Sequence, residues 1–447
     1  MPHGLLYGAS FTKGVLSFTD KQGRTICNAD LWDFLTLTAT SDNSSVKLTK
    51  VGTLSNEFEV NVGNGWRGYT FGVVIPLNAG QSCKWRCSAR PTMQSTRSYV
   101  QFVMTGTIEA SGNCNSMLSS YFENLTSLSE NDYAFYELFR DCTSLTKAPI
   151  LPATTLAHGC YSCMFFGCNS LKEAPSLPAT LLSTQCYSSM FFGCNSLKEA
   201  PSLPATILPP ECYYNMFWGC TALTQAPSLP ATILSKSCYM NMFRDCTALT
   251  QAPSLPAMEL EERCYEAMFK DCVSLTQAPS ALPAITAEPR CYFSMFEGCT
   301  SLINAPTIAA TTCRISADKY NNDHLSYMFR DCTALANPPE IHLTTLAYHA
   351  LYFMFMGCTS LIRAPHLPAM TLEEGCYLGI FDGCTSLTEA SIAATTTATN
   401  ALKGWLDGVA ASGAVYADPN FTDLPMDSAS GVPTGWTRHD IADYPTT

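Results

Sequence analysis

A 26-residue repeat is the feature that most limits how this chain can fold. Ten cysteines recur with steps of 26 residues five times, then 27, 33, 26 and 26. Each has a leucine three residues later and a phenylalanine three residues earlier. Units of this kind pack only on their neighbours, so the sequence predicts a solenoid. The aligned cysteines are Cys142, Cys168, Cys194, Cys220, Cys246, Cys272, Cys299, Cys332, Cys358 and Cys384.

The two halves of each unit have different periods. We number the aligned cysteine as position 0; at ~100° per residue, positions −8, −7, −4, −3 and 0 then share one arc of a helix. The residue at −1 is always Gly or Asp, which suits a helix end. Prolines in the second half, as in 196–205, indicate a short extended stretch and a turn. The pattern predicts an α/β leucine-rich-repeat solenoid of about ten 26-residue repeats, each with a short strand and a short helix.

These motifs also resemble a known family. MFxGCTSL, APxLPATxL and CYxxMF look like the BspA-like (Treponema-type) leucine-rich repeats of surface proteins from gut bacteria, over about residues 134–391. The segments around Trp405, Tyr416 and Trp436 resemble the C-terminal cap of that family, and 103–113 resembles the segment leading into its repeats. The resemblance implies an adhesin-like module that recognises a bacterial cell-surface glycan or protein.

The sequence outside the repeats predicts further domains. Residues 1–112 lack the repeat and alternate apolar and polar residues between Gly, Asn, Asp and Ser, which is typical of an all-β sandwich. We expect this domain to attach the chain to other virion or surface proteins. Residues 113–133 are expected to form a junction and N-terminal cap, 134–391 the repeats, and 392–447 the C-terminal cap.

Charge and the chain start bear on partners and localisation. The 25 Lys and Arg against 37 Asp and Glu give a net charge of −12, which argues against nucleic acid and anionic membranes as partners. No apolar run reaches the ~20 residues of a membrane span, and the first residues show no secretory signal. We therefore expect a phage virion component, such as a tail fibre or receptor-contacting protein. An exported bacterial cell-surface adhesin and a structural spacer or assembly subunit are the alternatives.

The 23 cysteines fall mostly into two inward columns, ten at position 0 and seven at −8. Because free cysteine behaves as a small buried hydrophobe, the sequence predicts ladders of reduced core thiols, with disulfides as the alternative. A zinc site at Cys27, Cys83, Cys87 and Cys114 is disfavoured. Cys83 and Cys87 lie on one predicted strand face, ~13 Å apart at ~3.3 Å per residue.

Candidate site residues lie on the surface. The seven histidines form no HExxH pair and no phosphate-binding glycine loop occurs, so we expect no enzyme activity, no cofactor and no metal. Aromatic residues on successive units could stack on sugars, anchor a protein partner or form a homo-oligomer contact; the alternative is that they cover a neighbouring loop. The aromatic residues at the outward position −2 are Phe166, Phe192 and Trp218, and Tyr214 and Met240 lie beside them at −6.

The 33-residue step contains an insertion near 314–323. Insertions in solenoids map to loops, often on a binding face, so this loop is a second candidate; a neutral surface bulge is the alternative. Its candidate residues are Asp318, Lys319, Tyr320, Asn321, Asn322 and Asp323.

Overall fold

The computed structural model describes residues 33–54, 57–88, 94–119, 125–428 and 431–444, together with the backbone of three strands before residue 33. The chain divides into two compact units. Unit 1 runs to Leu181 and also contains 194–197 and 201–203. Unit 2 contains the other residues from Leu182 onward.

Unit 1 begins with β-sheets. Strands β1 (Ala9–Thr12), β2 (Val15–Thr19) and β3 (Thr25–Cys27) form an antiparallel sheet. A second sheet has the order β10-β5-β8, and a third has the order β12-β11-β4-β9-β6-β7. Their strands are β4 (Leu35–Ala39), β5 (Ser44–Val51), β6 (Phe58–Asn61), β7 (Trp66–Gly68), β8 (Ile75–Leu77), β9 (Ser82–Cys87), β10 (Tyr99–Thr105), β11 (Ile108–Ser111) and β12 (Leu145–Lys147).

The second and third sheets share a core. Side chains alternate between buried and half-buried along β5 and β9, so each strand turns one face inward. Trp85 on β9 meets the Phe102 ring on β10 edge-on, with centroids 5.2 Å apart. The sandwich predicted over 1–112 stays a prediction, since most of 1–32, including the Cys27 side chain, lies outside the described residues.

The first coil of the repeat continues directly from these sheets. β12 pairs in parallel with β11, and the Phe139 ring stacks on Phe102 at 5.3 Å. The thiol of Cys142 donates to the Phe102 carbonyl at 3.2 Å. The sheet strands therefore cover the first coil of unit 1 with the same contacts that later coils make with one another.

The predicted helix in each repeat is wrong. The segment before each aligned cysteine is a string of four-residue turns in which every fourth residue is left-handed. In the coil that ends at Cys220, Glu211, Asn215 and Gly219 have φ values of 56°, 55° and 73°. The same positions, −9, −5 and −1, are left-handed in all ten coils except at Asp323. The described residues contain no α-helix, and their short 3₁₀ turns are Cys114–Met117, Lys319–Asn321 and Ile441–Asp443.

Hydrogen bonding explains this conformation. The Tyr213 amide donates to the Cys238 carbonyl of the next coil at 3.1 Å, whereas the Tyr214 amide donates within its own coil to Glu211 at 3.2 Å. This alternation continues along the coil. An α-helix would keep every amide inside its own segment. Because every second amide here bonds to the neighbouring coil, the repeats stack as a β-solenoid.

Regular strands within the stack are short. Three parallel pairs occur, β13 with β14, β15 with β17 and β16 with β18. The chain then ends in a parallel sheet ordered β19-β20-β21-β22. Their bounds are β13 (Ile207–Leu208), β14 (Ile233–Leu234), β15 (Ala281–Leu282), β16 (Thr286–Ala287), β17 (Thr307–Ile308), β18 (Thr312–Cys313), β19 (Arg363–Leu367), β20 (Glu389–Ile392), β21 (Gly413–Ala417) and β22 (Trp436–Asp440).

Columns of identical side chains form the core of the coils. The rings of Phe217 and Phe243 stack at 5.6 Å and 3°, and those of Tyr213 and Tyr239 at 5.8 Å and 10°. The leucine three residues after each aligned cysteine is fully buried, as are the Met, Leu or Ile side chains at −4. The five inward columns predicted from the sequence therefore make up this core.

The thiols at position 0 share one contact in all ten coils. Each donates to the carbonyl of the phenylalanine at −3 in the preceding coil, or of Phe102 for the first, at 3.0–3.2 Å. A carbonyl only accepts, so the sulfur must carry its proton. All but Cys163 of the 22 described cysteines are buried. This geometry suits reduced thiols.

Candidate binding surface

The aromatic residues at −2 and −6 line one side of the coils and are half-buried. In unit 1, the Arg140 guanidinium lies 4.5 Å from the centroid of the Phe166 ring. In unit 2, the rings of Phe192 and Trp218 are 5.1 Å apart and tilted by 54°. We call Phe192, Tyr214, Trp218, Met240 and Arg244 the aromatic column.

Trp218 is held on several sides. The Arg244 guanidinium lies 4.5 Å from its ring centroid, and its indole Nε1 donates to Asp245 Oδ2 at 2.7 Å. Glycine occupies position −1 beside Phe192 and Trp218, so no side chain covers them from that position. The column therefore holds half-buried rings and a half-buried guanidinium in contact with one another, and Arg244 already occupies one face of the indole.

Farther along unit 2, position −2 becomes charged. Lys270 pairs with Glu297 at 2.7 Å, and Arg330 lies 3.8 Å from the same carboxylate. The apolar part of position −2 is thus flanked by ion pairs, including that of Arg244 with Asp245 at 3.7 Å. An apolar centre with a charged rim is typical of protein interfaces.

The inserted loop is built around buried Asn322. Its side-chain oxygen accepts from the Ser316 amide at 2.7 Å, and its Nδ2 lies 3.3–3.4 Å from three loop carbonyls. Asp318 accepts from the Tyr320 amide and so begins the 3₁₀ turn. Tyr320 itself is 75% exposed.

Three other residues tie the loop to neighbouring coils. Lys319 pairs with Glu374 at 2.8 Å and lies over the Tyr348 ring. Asp323 pairs with Arg290 at 3.1 Å, and the Asn321 side chain forms a hydrogen bond with Glu262. The two groups of candidate residues remain separate: no contact joins the loop residues to the aromatic column among the contacts described.

The structure also contains clefts that the sequence analysis did not select. One of about 670 Å³ is lined by 60–82 in unit 1. In unit 2, one of about 440 Å³ lies beside Met258 and Ile285, and another of about 690 Å³ lies between 336–342 and 363–366. The 690 Å³ cleft could have been found in the sequence through departures from the repeat. Four of its residues each replace the residue that is common at their position in other coils: Pro338, Glu340, His342 and His366.

Within the described parts of the chain, His, Cys, Asp and Glu side chains form no group of three or more suited to a metal ion. In the same residues, no helix has the length and hydropathy of a membrane span.

Comparisons with known proteins give a limited result. No protein-family model matches the sequence, and no curated protein shows significant similarity to it. One similar solved structure is a leucine-rich repeat protein from Bacteroides ovatus, with 18% identity, a TM-score of 0.34, and coverage of 75% of this chain and 96% of that protein. Another is a leucine-rich cell surface protein from Faecalibacterium prausnitzii, with 15% identity, a TM-score of 0.32, and coverage of 72% and 95%. At such TM-scores the function has to be inferred from this chain's own residues.

Proposed function

We propose that this chain is a non-enzymatic adhesin of the bacterial cell surface that binds a protein partner through the aromatic column. The observation that carries the proposal is Trp218, which Arg244 and Asp245 hold beside the half-buried Phe192 ring. Trp, Tyr and Arg are the residues most often responsible for binding energy at protein interfaces. Because Arg244 already covers the indole, a protein suits this surface better than a sugar ring that needs an open aromatic face.

The cell surface suits the chain better than a virion. The repeat motifs and C-terminal segment resemble those of bacterial surface proteins. The virion hypothesis depended on the absence of a leader, and the position at which a sequence begins does not identify a compartment. We assign attachment to residues 1–112, capping to 113–133 and 392–447, and partner binding to 134–391.

A binding assay on intact cells tests this function. The labelled full chain is incubated with bacterial and mammalian cells, before and after protease or glycosidase treatment, and binding is measured by flow cytometry. We expect binding that protease abolishes and that Phe192→Ala/Trp218→Ala reduces at least tenfold. Met356→Ala is the matched control, since it is another half-buried apolar residue at position −2. Binding that survives the double variant would contradict the assignment.

An assembly role is the second candidate, because the same column could join copies of the chain. Light scattering on the double variant separates the two functions. Loss of an oligomer with cell binding intact would favour the assembly role, whereas an unchanged mass with lost cell binding favours adhesion.

A further inference from the structure

Pro338, a residue without a backbone N–H, lines the cleft between 336–342 and 363–366. In two earlier coils, the alanine at position +6 donates its amide to the next coil: Ala252 to Gln277 at 2.9 Å and Ala305 to Asn337 at 3.0 Å. Pro338 occupies this position in its own coil. Because proline has no N–H, the corresponding bond to the Arg363 carbonyl cannot form. β19 is the edge strand of its sheet, and the cleft lies beside it.

Other departures from the repeat collect at the same place. Position +8 is serine in five coils but Glu340 and His366 in the two that line the cleft. Position +10 is proline in most coils and His342 in this one. At this cleft the chain thus carries larger hydrogen-bonding side chains where many coils have serine or proline.

The far wall of the cleft is held in place. The Tyr444 hydroxyl donates to the Ala364 carbonyl at 2.9 Å, and its ring packs edge-on against Tyr416 at 5.1 Å. His366 Nδ1 lies 2.7 Å from the buried Ser391 hydroxyl, which leaves Nε2 as its other polar atom. Glu340 and His342 are exposed, with 3.5 Å between carboxylate and imidazole. Preformed walls lower the cost of ordering a ligand.

The chemistry of the lining limits the ligand. Arg363 is neutralised by Glu389 at 2.7 Å, so the lining has no unpaired cation to attract an anion. Among the described side chains no group of three could hold a metal here. Pro338 and the Tyr444 ring are among the apolar parts of the wall, and the polar side chain of Asn337 already donates to Asn304 at 2.7 Å. The volume of about 690 Å³ lies within the roughly 300–1,000 Å³ range of small-molecule sites.

We propose that this cleft binds a neutral saccharide of one or two rings. Glu340 accepts hydrogen bonds from sugar hydroxyls, and His342 and His366 offer further polar atoms. Pro338 and the face of the Tyr444 ring opposite Arg363, whose guanidinium lies 5.9 Å from the ring centroid, contact the apolar face of a pyranose. The proposal goes beyond the protein-binding function above, because the cleft and the aromatic column have no residue in common.

Saturation-transfer NMR on the full chain tests the cleft. The probes are the methyl glycosides of glucose, galactose, mannose and N-acetylglucosamine, with cellobiose and lactose, and glucuronic acid serves as the anionic comparison. We expect transfer to at least one neutral sugar and none to glucuronic acid. In the double variant Glu340→Ala/His342→Ala, the Kd should rise at least tenfold. Both side chains are exposed, and thermal melting checks that the variant is folded. Pro338→Ala restores the amide donor and should also weaken binding.

Trp218→Ala is the control that separates the two proposals. It should leave sugar binding unchanged, even where it abolishes cell binding. Absence of transfer from every neutral sugar would overturn the cleft proposal, and so would an unchanged Kd in the folded double variant. Neither result would affect the aromatic column.

Discussion

Alkaline pH provides a direct test of the thiol column. Burial raises the pKa of eight position 0 thiols, so the folded chain keeps them protonated, whereas in the unfolded chain they ionise near the ordinary value of ~8.5. The pKa is raised in this way for Cys142, Cys168, Cys246, Cys272, Cys299, Cys332, Cys358 and Cys384, the last to about 12.

The sign and size of the effect follow from proton linkage. A group whose pKa is raised by folding contributes its full stability below the unfolded pKa and loses it as pH rises toward the folded pKa. At pH 9.5 each thiol lowers the free energy of unfolding by ~1.4 kcal/mol. The eight together remove about 11 kcal/mol, which is comparable to the roughly 5–15 kcal/mol of a typical domain.

The assay is urea unfolding followed by circular dichroism from pH 7.5 to 10, with a reductant present. We expect a nearly constant midpoint below pH 8 and a steep fall above pH ~8.5. Eight further thiols outside position 0 also have pKa values raised by burial. Cys246→Ala/Cys272→Ala therefore removes two of sixteen such groups, so the loss of stability per pH unit should shrink by about an eighth, whatever the stability of the variant at pH 7.5. A midpoint that stays level to pH 10 would refute buried, reduced thiols.

Three further comparisons test local features. Both Ala267, with φ 51°, and Gly219, with φ 73°, are left-handed. Ala267→Gly should therefore raise the free energy of unfolding by about 0.5–1 kcal/mol, and Gly219→Ala should lower it by a similar amount. Calorimetry in which both variants shift stability in the same direction would contradict this. Asn322→Ala should cost about 1–3 kcal/mol because it leaves loop amides and carbonyls unpaired, while Lys319→Ala removes an exposed ion pair and should cost less than ~1 kcal/mol in urea titrations. Phe243→Ala opens a cavity in a stacked column and should cost about 3–5 kcal/mol, with amide exchange increasing first in the adjacent coils.

The sequence was sufficient for the solenoid and its inward columns because both depend on which positions repeat. Apolar residues at −7, −3 and +3 recur in register. Burial of such columns is the main stabilising contribution whether the segment is a helix or a string of turns. The aromatic candidates Phe192 and Trp218 were found the same way, by their outward positions. Their Arg244 and Asp245 partners were not, because an ion–ring contact depends on rotamers in adjacent coils.

The cleft was missed for the opposite reason. Its residues are exceptions to the repeat, and in an alignment of the columns such exceptions look the same as neutral variation. Pro338 shows why this loses information: the missing N–H matters only because Ala252 and Ala305 use theirs to bond the next coil. A substitution at a position with a known backbone partner is therefore more informative than one at an exposed position without a backbone role.

The error over the helix has a more general cause. Residues four apart differ by only ~40° on a helix, so a period of four and a period of 3.6 place nearly the same side chains inward over two turns. Residue type does not separate them either, since the left-handed positions include Arg263, Tyr327 and Phe353 as well as glycine. Each such residue costs roughly 1–2 kcal/mol, and half of the amides in a turn segment have partners only in the next coil. An isolated coil would leave those amides unpaired, so the string of turns is stable only within a stack, and the sequence of a single repeat cannot reveal it.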